Sequence, residues 1–280
     1  MRTDLAIESP QASRLCKKER KIDEKCKHFC EKFYLKIETD EDEKNCGKPK
    51  GSYITLQFKD LMKFDGSGEI EEEIIESLDN LIPSKRDNIL FVGLGNSDIT
   101  SDSIGPRISK KIMATRHIKK EFAEKIGLKG LKSVSVIAPG VLGNTGMEVV
   151  EIIKGICGKI NPDAVIVADA LAAGSIKRLF TTIQLCDTGI CPGSGVKNSR
   201  KELSLKTLGI PVIAIGVPTV VDAVSLCEEL SGRESLTDTD LIVTPKDADI
   251  LCHKVSEIIG KALNIFLQPE IDREIITSLV

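Results

Sequence analysis

The sequence predicts an α/β fold: a mostly parallel sheet with helices on both faces. Short apolar runs rich in β-branched residues recur along the chain, and each is typical of a strand buried on both faces. Segments of helical length alternate with these runs, which favours a parallel sheet. With 280 residues, 41% of them hydrophobic, the chain can bury a large core.

Residues 51–280 are predicted to form one α/β domain whose elements follow in order. Strands are predicted at 52–58, 88–94, 133–138, 164–169, 211–216 and 240–244. A helix is predicted at 68–80 from the spacing of its apolar residues. Further helices are predicted over most of 103–120, near 146–159, at 219–230 and from 245 to about 265. A less regular section at 171–209 contains the strand-like run TTIQLCD.

Residues 1–50 differ in composition and are predicted to be a separate charged segment. They are rich in Lys and Glu, and residues 12–34 are predicted to form an amphipathic helix. The run Lys48-Pro49-Lys50-Gly51 is interpreted as a connector. The segment also carries four cysteines, Cys16, Cys26, Cys30 and Cys46, and its Cys26-x-His28-x-Cys30 run has too irregular a spacing to indicate a zinc module. Two interpretations of these residues stay open: a zinc site, and a surface helix that carries cysteines.

The composition excludes several function classes. A net charge of −3 argues against a strongly electrostatic nucleic-acid binder, and the absence of Trp argues against a stacking platform for single strands. No run approaches the roughly 18 apolar residues that span a bilayer. The first residues lack the apolar centre of a signal peptide, so a cytoplasmic protein with reduced thiols is expected.

Two aspartates at predicted strand ends are the candidate catalytic residues. Asp102 follows the strand that ends in GLGN, and Asp169 ends the run AVIVAD. Ligands of open parallel sheets collect at the carboxyl ends of strands, so the two acids are expected in one cleft. Two carboxylates forced together cannot both ionise, and such a pair can activate water for amide hydrolysis. Each could instead cap a helix or turn, or help to hold a metal.

The loop after the strand that ends in GLGN contains further candidate site residues. Gly93 and Gly95 permit a tight turn, and Asn96 is expected to hydrogen-bond the loop that presents Asp102. Asp98 stands where a dinucleotide fingerprint needs its third glycine, so no nucleotide cofactor is expected. Asp222, at a later strand-to-helix turn, is a weaker candidate for the cleft, and Cys191 is either a reactive thiol or an ordinary loop residue.

Several long motifs together resemble one protein family. In order they are RTDLAIES, GLGN with SDSIGP, APGVLGNTG, ADALAA, TTIQLCDTGICPGSGVKNSRKEL, GIPVIAIGVPTVVDA and IVTPK. They resemble the germination proteases of spore-forming bacteria over residues 2 to about 265. The resemblance implies a core similar to hydrogenase-maturation proteases, a zymogen, a homotetramer, and an aspartic-type endopeptidase that degrades small acid-soluble spore proteins in the spore core.

The resemblance also assigns roles to residues. Asp102 and Asp169 match the family's catalytic aspartates. Family substrates are cut after an acidic residue and before a large apolar one, so Asp4 and Leu5 form a candidate self-processing site. Several positions depart from the family pattern: Ser101 replaces a Pro, Gly174 an Arg and Cys191 a His, and Ser97 with Asp98 replaces a Trp-containing pair. These departures leave two alternatives open, a metal-dependent maturation-type protease and an inactive protein that binds spore proteins. We expect neither a metal nor a cofactor, and no direct contact with nucleic acid or membrane.

Overall fold

The computed structural model describes residues 3–21, 30–61, 68–118, 120–125, 128–193, 200–233 and 239–279. Its strands are β1 Cys16–Lys21, β2 Cys30–Ile37, β3 Gly51–Phe58, β4 Asn88–Gly93, β5 Ser133–Ile137, β6 Ala164–Ala173, β7 Thr182–Cys186, β8 Val212–Asp222 and β9 Ile242–Val243.

The helices connect and cover these strands. They are α1 Ala12–Leu15, α2 Asp40–Cys46, α3 Glu69–Asp79, α4 Ile104–Ser109, α5 Lys120–Lys125, α6 Leu142–Thr145, α7 Val149–Ile160, α8 Leu205–Leu208, α9 Ala223–Ser231, α10 Ala248–Leu267 and α11 Arg273–Leu279. No helix in the described part of the chain is long and apolar enough to cross a membrane.

All the strands that the structure describes belong to one mixed sheet, in the order β1-β2-β3-β7-β8-β6-β4-β5, with β9 paired to β8. The segment β8-β6-β4-β5 is parallel, and antiparallel pairs extend it through β7, β3, β2 and β1. β1 and β2 lie in the segment predicted to be separate, and they join the same sheet as the rest.

Helices cover both faces of the sheet, which confirms the predicted fold class. On one face α3, α4 and α10 pack on apolar residues of β3, β4, β6 and β8, including Phe91 and Ile166. On the other face α7 and α8 pack on Val92, Val165 and Val167. Alternate side chains of a strand point to opposite faces, so a single run such as AVIVAD contributes to both cores.

Two predicted helices are wrong. In the described parts of residues 12–34 the helix is limited to the short α1, and the other described residues form parts of the antiparallel strands β1 and β2. Lys and Glu favour a helix locally, but in β2 the side chains of Leu35 and Ile37 are buried on one face, and pairing with β3 decides the conformation. In the predicted helix 103–120, α4 ends at Ser109 because the chain turns to reach β5, where Thr115 bonds the Val134 backbone.

Candidate active site

Asp102 lies in the loop that follows β4, in a single turn of 3-10 helix. The Asn96 backbone N–H donates to Asp102 Oδ2 at 2.8 Å, so the loop folds back on the carboxylate. Gly95 has φ +114°, and a Cβ there would lie 2.0 Å from the Asp102 carbonyl oxygen. Only glycine fits this approach. Asp102 thus accepts a hydrogen bond from the preceding loop, and the N-cap position of α4 is taken by Ser103.

Asp169 lies within β6 and is 5% exposed. Its side chain shares a face with Val165 and Val167, because strand side chains alternate. Asp169 Oδ1 accepts the N–H of Ala170 at 2.9 Å. A carboxyl group with this little contact with water is costly to ionise.

The structure brings the two aspartates together on one cleft of about 270 Å³. The walls come from the loops after β4, β5 and β7 and from the C-terminal halves of the parallel strands β6 and β8. A second cavity of about 190 Å³ lies next to Asp169 on the β7 side. Asp4 lines both cavities.

The electrostatics of the two aspartates differ. Burial raises the pKa of Asp169 well above its ordinary value, and the nearby charges of Asp102 and Asp4 raise it further. Burial also raises the pKa of Asp102, but the N–H of Asn96 lowers it in part. The arrangement therefore favours a protonated Asp169 beside an ionised Asp102, which is the division of charge that acid–base catalysis needs.

The candidate self-processing residues are docked beside this cleft. Leu5 is fully buried against Leu171 and Ala173 of β6. The Asp4 N–H donates to the Ala172 carbonyl at 2.9 Å, and the Ala172 N–H donates to Asp4 Oδ2 at 2.9 Å. The chain thus places the predicted cleavage point next to Asp169.

Asp222 serves as a helix cap. Its Oδ1 accepts the Ser225 N–H at 2.9 Å and its Oδ2 accepts the Ser225 hydroxyl at 2.6 Å. Its side chain caps α9 at the end of β8 and is not part of the wall of the aspartate cleft.

The positions that depart from the family pattern lie near the site. Ser101 lines the cleft, and its carbonyl accepts the Thr219 hydroxyl at 2.6 Å. The Gly174 N–H donates to Glu8 at 2.7 Å, so this residue helps to hold the N-terminal segment. Cys191 lines the smaller cavity, and its thiol donates to the Arg200 carbonyl at 3.1 Å.

Within the described ranges, no group of three or more His, Cys, Asp and Glu side chains is arranged to hold a metal ion. Cys30 and Cys46 are buried in different hydrophobic clusters. Cys26 and His28 lie outside the described residues, so the zinc alternative and the expectation of a metal-free site both stay predictions.

The comparisons with known proteins agree on a family. The family model described as "Germination protease" matches residues 7–231. A germination protease of Clostridium acetobutylicum is 39% identical, and the match covers 100% of this chain and 99% of that protein. The chain belongs to the germination protease family. It is therefore a peptidase, of a family whose members act in germination.

Other relatives differ in coverage. A germination protease of Bacillus subtilis is 43% identical over 82% of this chain and 65% of its own length. Among solved structures, a NiFe hydrogenase maturation protease from Thermococcus kodakarensis is 16% identical, with a TM-score of 0.39, and covers 67% of this chain and 98% of that one.

Two residues of the site were missed from the sequence. Lys48 was interpreted only as part of a connector, and Gln184 only as part of a strand. Both line the smaller cavity beside Asp169. The available signal was the polar Gln184 between the apolar Ile183 and Leu185 of a strand-like run, which predicts a buried amide that needs hydrogen-bond partners.

We expect Asp169→Asn to stabilise the protein at neutral pH. An unfolded Asp ionises near pH 3.9, whereas folded Asp169 keeps its proton to higher pH. The unfolded state therefore binds fewer protons between these two pKa values, and the free energy of unfolding falls as pH rises. Asn cannot ionise, so the variant escapes this loss and should be more stable than wild type at pH 7.

Urea unfolding of both proteins between pH 3.5 and 8 measures this. The gain should shrink towards zero below about pH 4, where the unfolded Asp is itself protonated. Asp98→Asn, at an exposed position in the loop of Asp102, is the matched control and should change little. A variant that is no more stable than wild type at pH 7 would contradict the buried, protonated carboxyl.

Proposed function

We propose that the protein is an endopeptidase that starts the degradation of small acid-soluble spore proteins during germination, with Asp102 and Asp169 activating water. The observation that carries this proposal is the pair of aspartates that line one cleft while their environments hold their pKa values apart. Family membership supports the peptidase activity, and the resemblance described above supplies the substrate class.

The geometry supports a division of roles. Ionised Asp102 takes a proton from water as the water oxygen attacks the scissile carbonyl carbon. Protonated Asp169 supplies the proton that the leaving amine needs. The products are one carboxyl end and one amino end, and one water is consumed. A pair with separated pKa values can perform both transfers at the same pH.

The docked N-terminus supports the proposed cleavage preference. Its Thr3-Asp4-Leu5-Ala6 run has an acidic residue before a large apolar one, and it already lies beside Asp169. We also propose, on the resemblance alone, that the protein works as a homotetramer, is made as a zymogen and acts in the spore core.

We expect Asp102→Asn and Asp169→Asn each to reduce cleavage of small acid-soluble spore protein by about 1,000-fold or more, because members of a cooperating pair act as a unit. Asp98→Asn again provides the matched control and should keep wild-type activity. Fragments are followed by mass spectrometry, and circular dichroism confirms folding. Full activity in either folded variant would refute the assignment. Activity that is lost in chelator and restored by a divalent ion would favour the metal-dependent alternative.

We also expect slow incubation of the pure protein to yield a new N-terminus at Leu5, and Asp169→Asn to prevent it. A chain end held next to the reacting groups can be cut in its own site or in that of a neighbouring molecule. Intact-mass spectrometry gives the result directly. An unchanged chain under conditions in which added spore protein is digested would rule out self-processing and leave the protease assignment standing.

A further inference from the structure

The N-terminal segment occupies a defined binding site next to the aspartates. Leu5 has an extended backbone, with φ −74° and ψ 124°, and its side chain is fully buried. Ala6 is also fully buried, in a separate cluster with Tyr53 and Cys186. The segment is therefore held by side-chain pockets as well as by the paired backbone bonds between Asp4 and Ala172.

Two side chains converge on one carbonyl of this segment. Lys48 Nζ donates to the carbonyl of Asp4 at 3.0 Å and to that of Thr3 at 3.2 Å. Gln184 Nε2 donates to the same Asp4 oxygen at 3.4 Å, while Gln184 Oε1 accepts the Ala6 N–H at 2.6 Å. Together they hold the peptide on both sides of the bond between Asp4 and Leu5.

The register of the sheet explains why Gln184 lies on the same face as Asp169. Asp169 is opposite Gly216 in the β6–β8 pair, and Gly216 is opposite Gln184 in the β7–β8 pair. Residues in one row across a sheet point to the same face. Gly216 carries no side chain, and the side chain of Leu171 packs over it, 2.3 Å from where a Cβ would stand. The carboxyl and the amide, whose backbones are roughly 10 Å apart at the usual strand spacing, both line the smaller cavity beside this contact.

Lys48 reaches this space from the connection between α2 and β3. It lines the smaller cavity together with Asp169 and Gln184. Burial lowers the pKa of Lys48, and the carboxylates of Asp4 and Glu8 counteract part of that effect. A partly desolvated ammonium interacts with negative charge more strongly than an exposed one.

We propose that Lys48 and Gln184 bind the carbonyl oxygen of the scissile peptide bond in the substrate, and that the Asp4 carbonyl marks this subsite. This inference rests on the proposed protease function. The site takes a peptide whose acidic side chain accepts the Ala172 N–H and whose next two residues, one large and apolar and one small, fill the pockets of Leu5 and Ala6.

The donors act when charge develops on that oxygen. As water adds to the carbonyl carbon, the carbonyl double bond becomes a single bond and its electron pair moves to the oxygen. The Lys48 ammonium and the Gln184 amide stabilise this oxyanion. When the double bond reforms, the carbon–nitrogen bond breaks and the amine leaves with the proton from Asp169. Preorganised donors of this kind contribute chiefly to kcat.

The test uses the full chain and a synthetic peptide with the sequence of residues 2–9. Lys48→Met keeps the length of the side chain and removes the charge. We expect kcat to fall by about 100- to 1,000-fold with a much smaller change in KM. Lys48→Arg should recover part of the loss. Lys50→Met is the matched control, because Lys50 is an exposed neighbour that pairs with Asp40, and it should behave as wild type.

A second readout does not depend on catalysis. Amide hydrogen exchange at Leu5 and Ala6 should speed up in Lys48→Met and stay unchanged in Lys50→Met, because Lys48 holds the docked segment. A folded Lys48→Met protein with wild-type kcat, or with unchanged exchange at these amides, would overturn the proposal. A wild-type protein that cuts neither the peptide nor spore protein would refute the proposed function instead, and the exchange result would still decide whether Lys48 holds the segment.

Discussion

The site depends on the burial of a carboxyl group within a parallel strand. Asp169 continues the apolar run of β6 onto a face where water has little access. Desolvation alone opposes its ionisation, and the second acid, Asp102, adds repulsion. The protein therefore carries an unfavourable group in its core, which is how structures tune the pKa values of catalytic acids.

The surrounding backbone holds this pair through close approaches that only glycine permits. A Cβ on Gly105 would lie 2.2 Å from the Leu94 carbonyl oxygen and 2.5 Å from that of Ala168. The start of α4 is thereby pressed against the end of β4 and the middle of β6. Gly95 then lets the loop fold over Asp102. These contacts fix the position of Asp102 relative to the core, because a densely packed interior leaves little freedom for adjustment.

The sequence was sufficient to predict the strands whose formation depends on a local hydrophobic pattern. The apolar runs that form β4, β6 and β8 are buried on both faces, so their composition identifies them as strands and draws attention to the acids that follow them. The strand predicted at 164–169 continues to Ala173, so Asp169 lies inside β6 and not at its end. It was insufficient where tertiary pairing overrides propensity, as in the charged strands β1 and β2. The role of Lys48 was also out of reach, because it depends on a chain end that packs against a residue about 45 positions away.

The N-terminal segment is also part of the site, because Asp4 lines both cavities. It pairs with the irregular end of β6, where the register with β8 shifts between Leu171 and Ala172. Backbone groups at such an irregularity are available to pair with another segment. A peptide from another protein can use the same backbone groups only when this segment has moved away, so the occupancy of this groove and the chemistry of the aspartates are physically coupled.

The most direct test of this account is a ¹³C NMR titration of the aspartate carboxyl carbons in wild type and in Asp102→Asn. The account predicts that Asp169 takes up its proton at a higher pH than Asp102, and that removing the Asp102 charge lowers the pKa of Asp169 without restoring its ordinary value, since burial persists. An Asp169 that titrates near the ordinary pKa of about 3.9 in both proteins would contradict the buried, coupled pair on which the account depends.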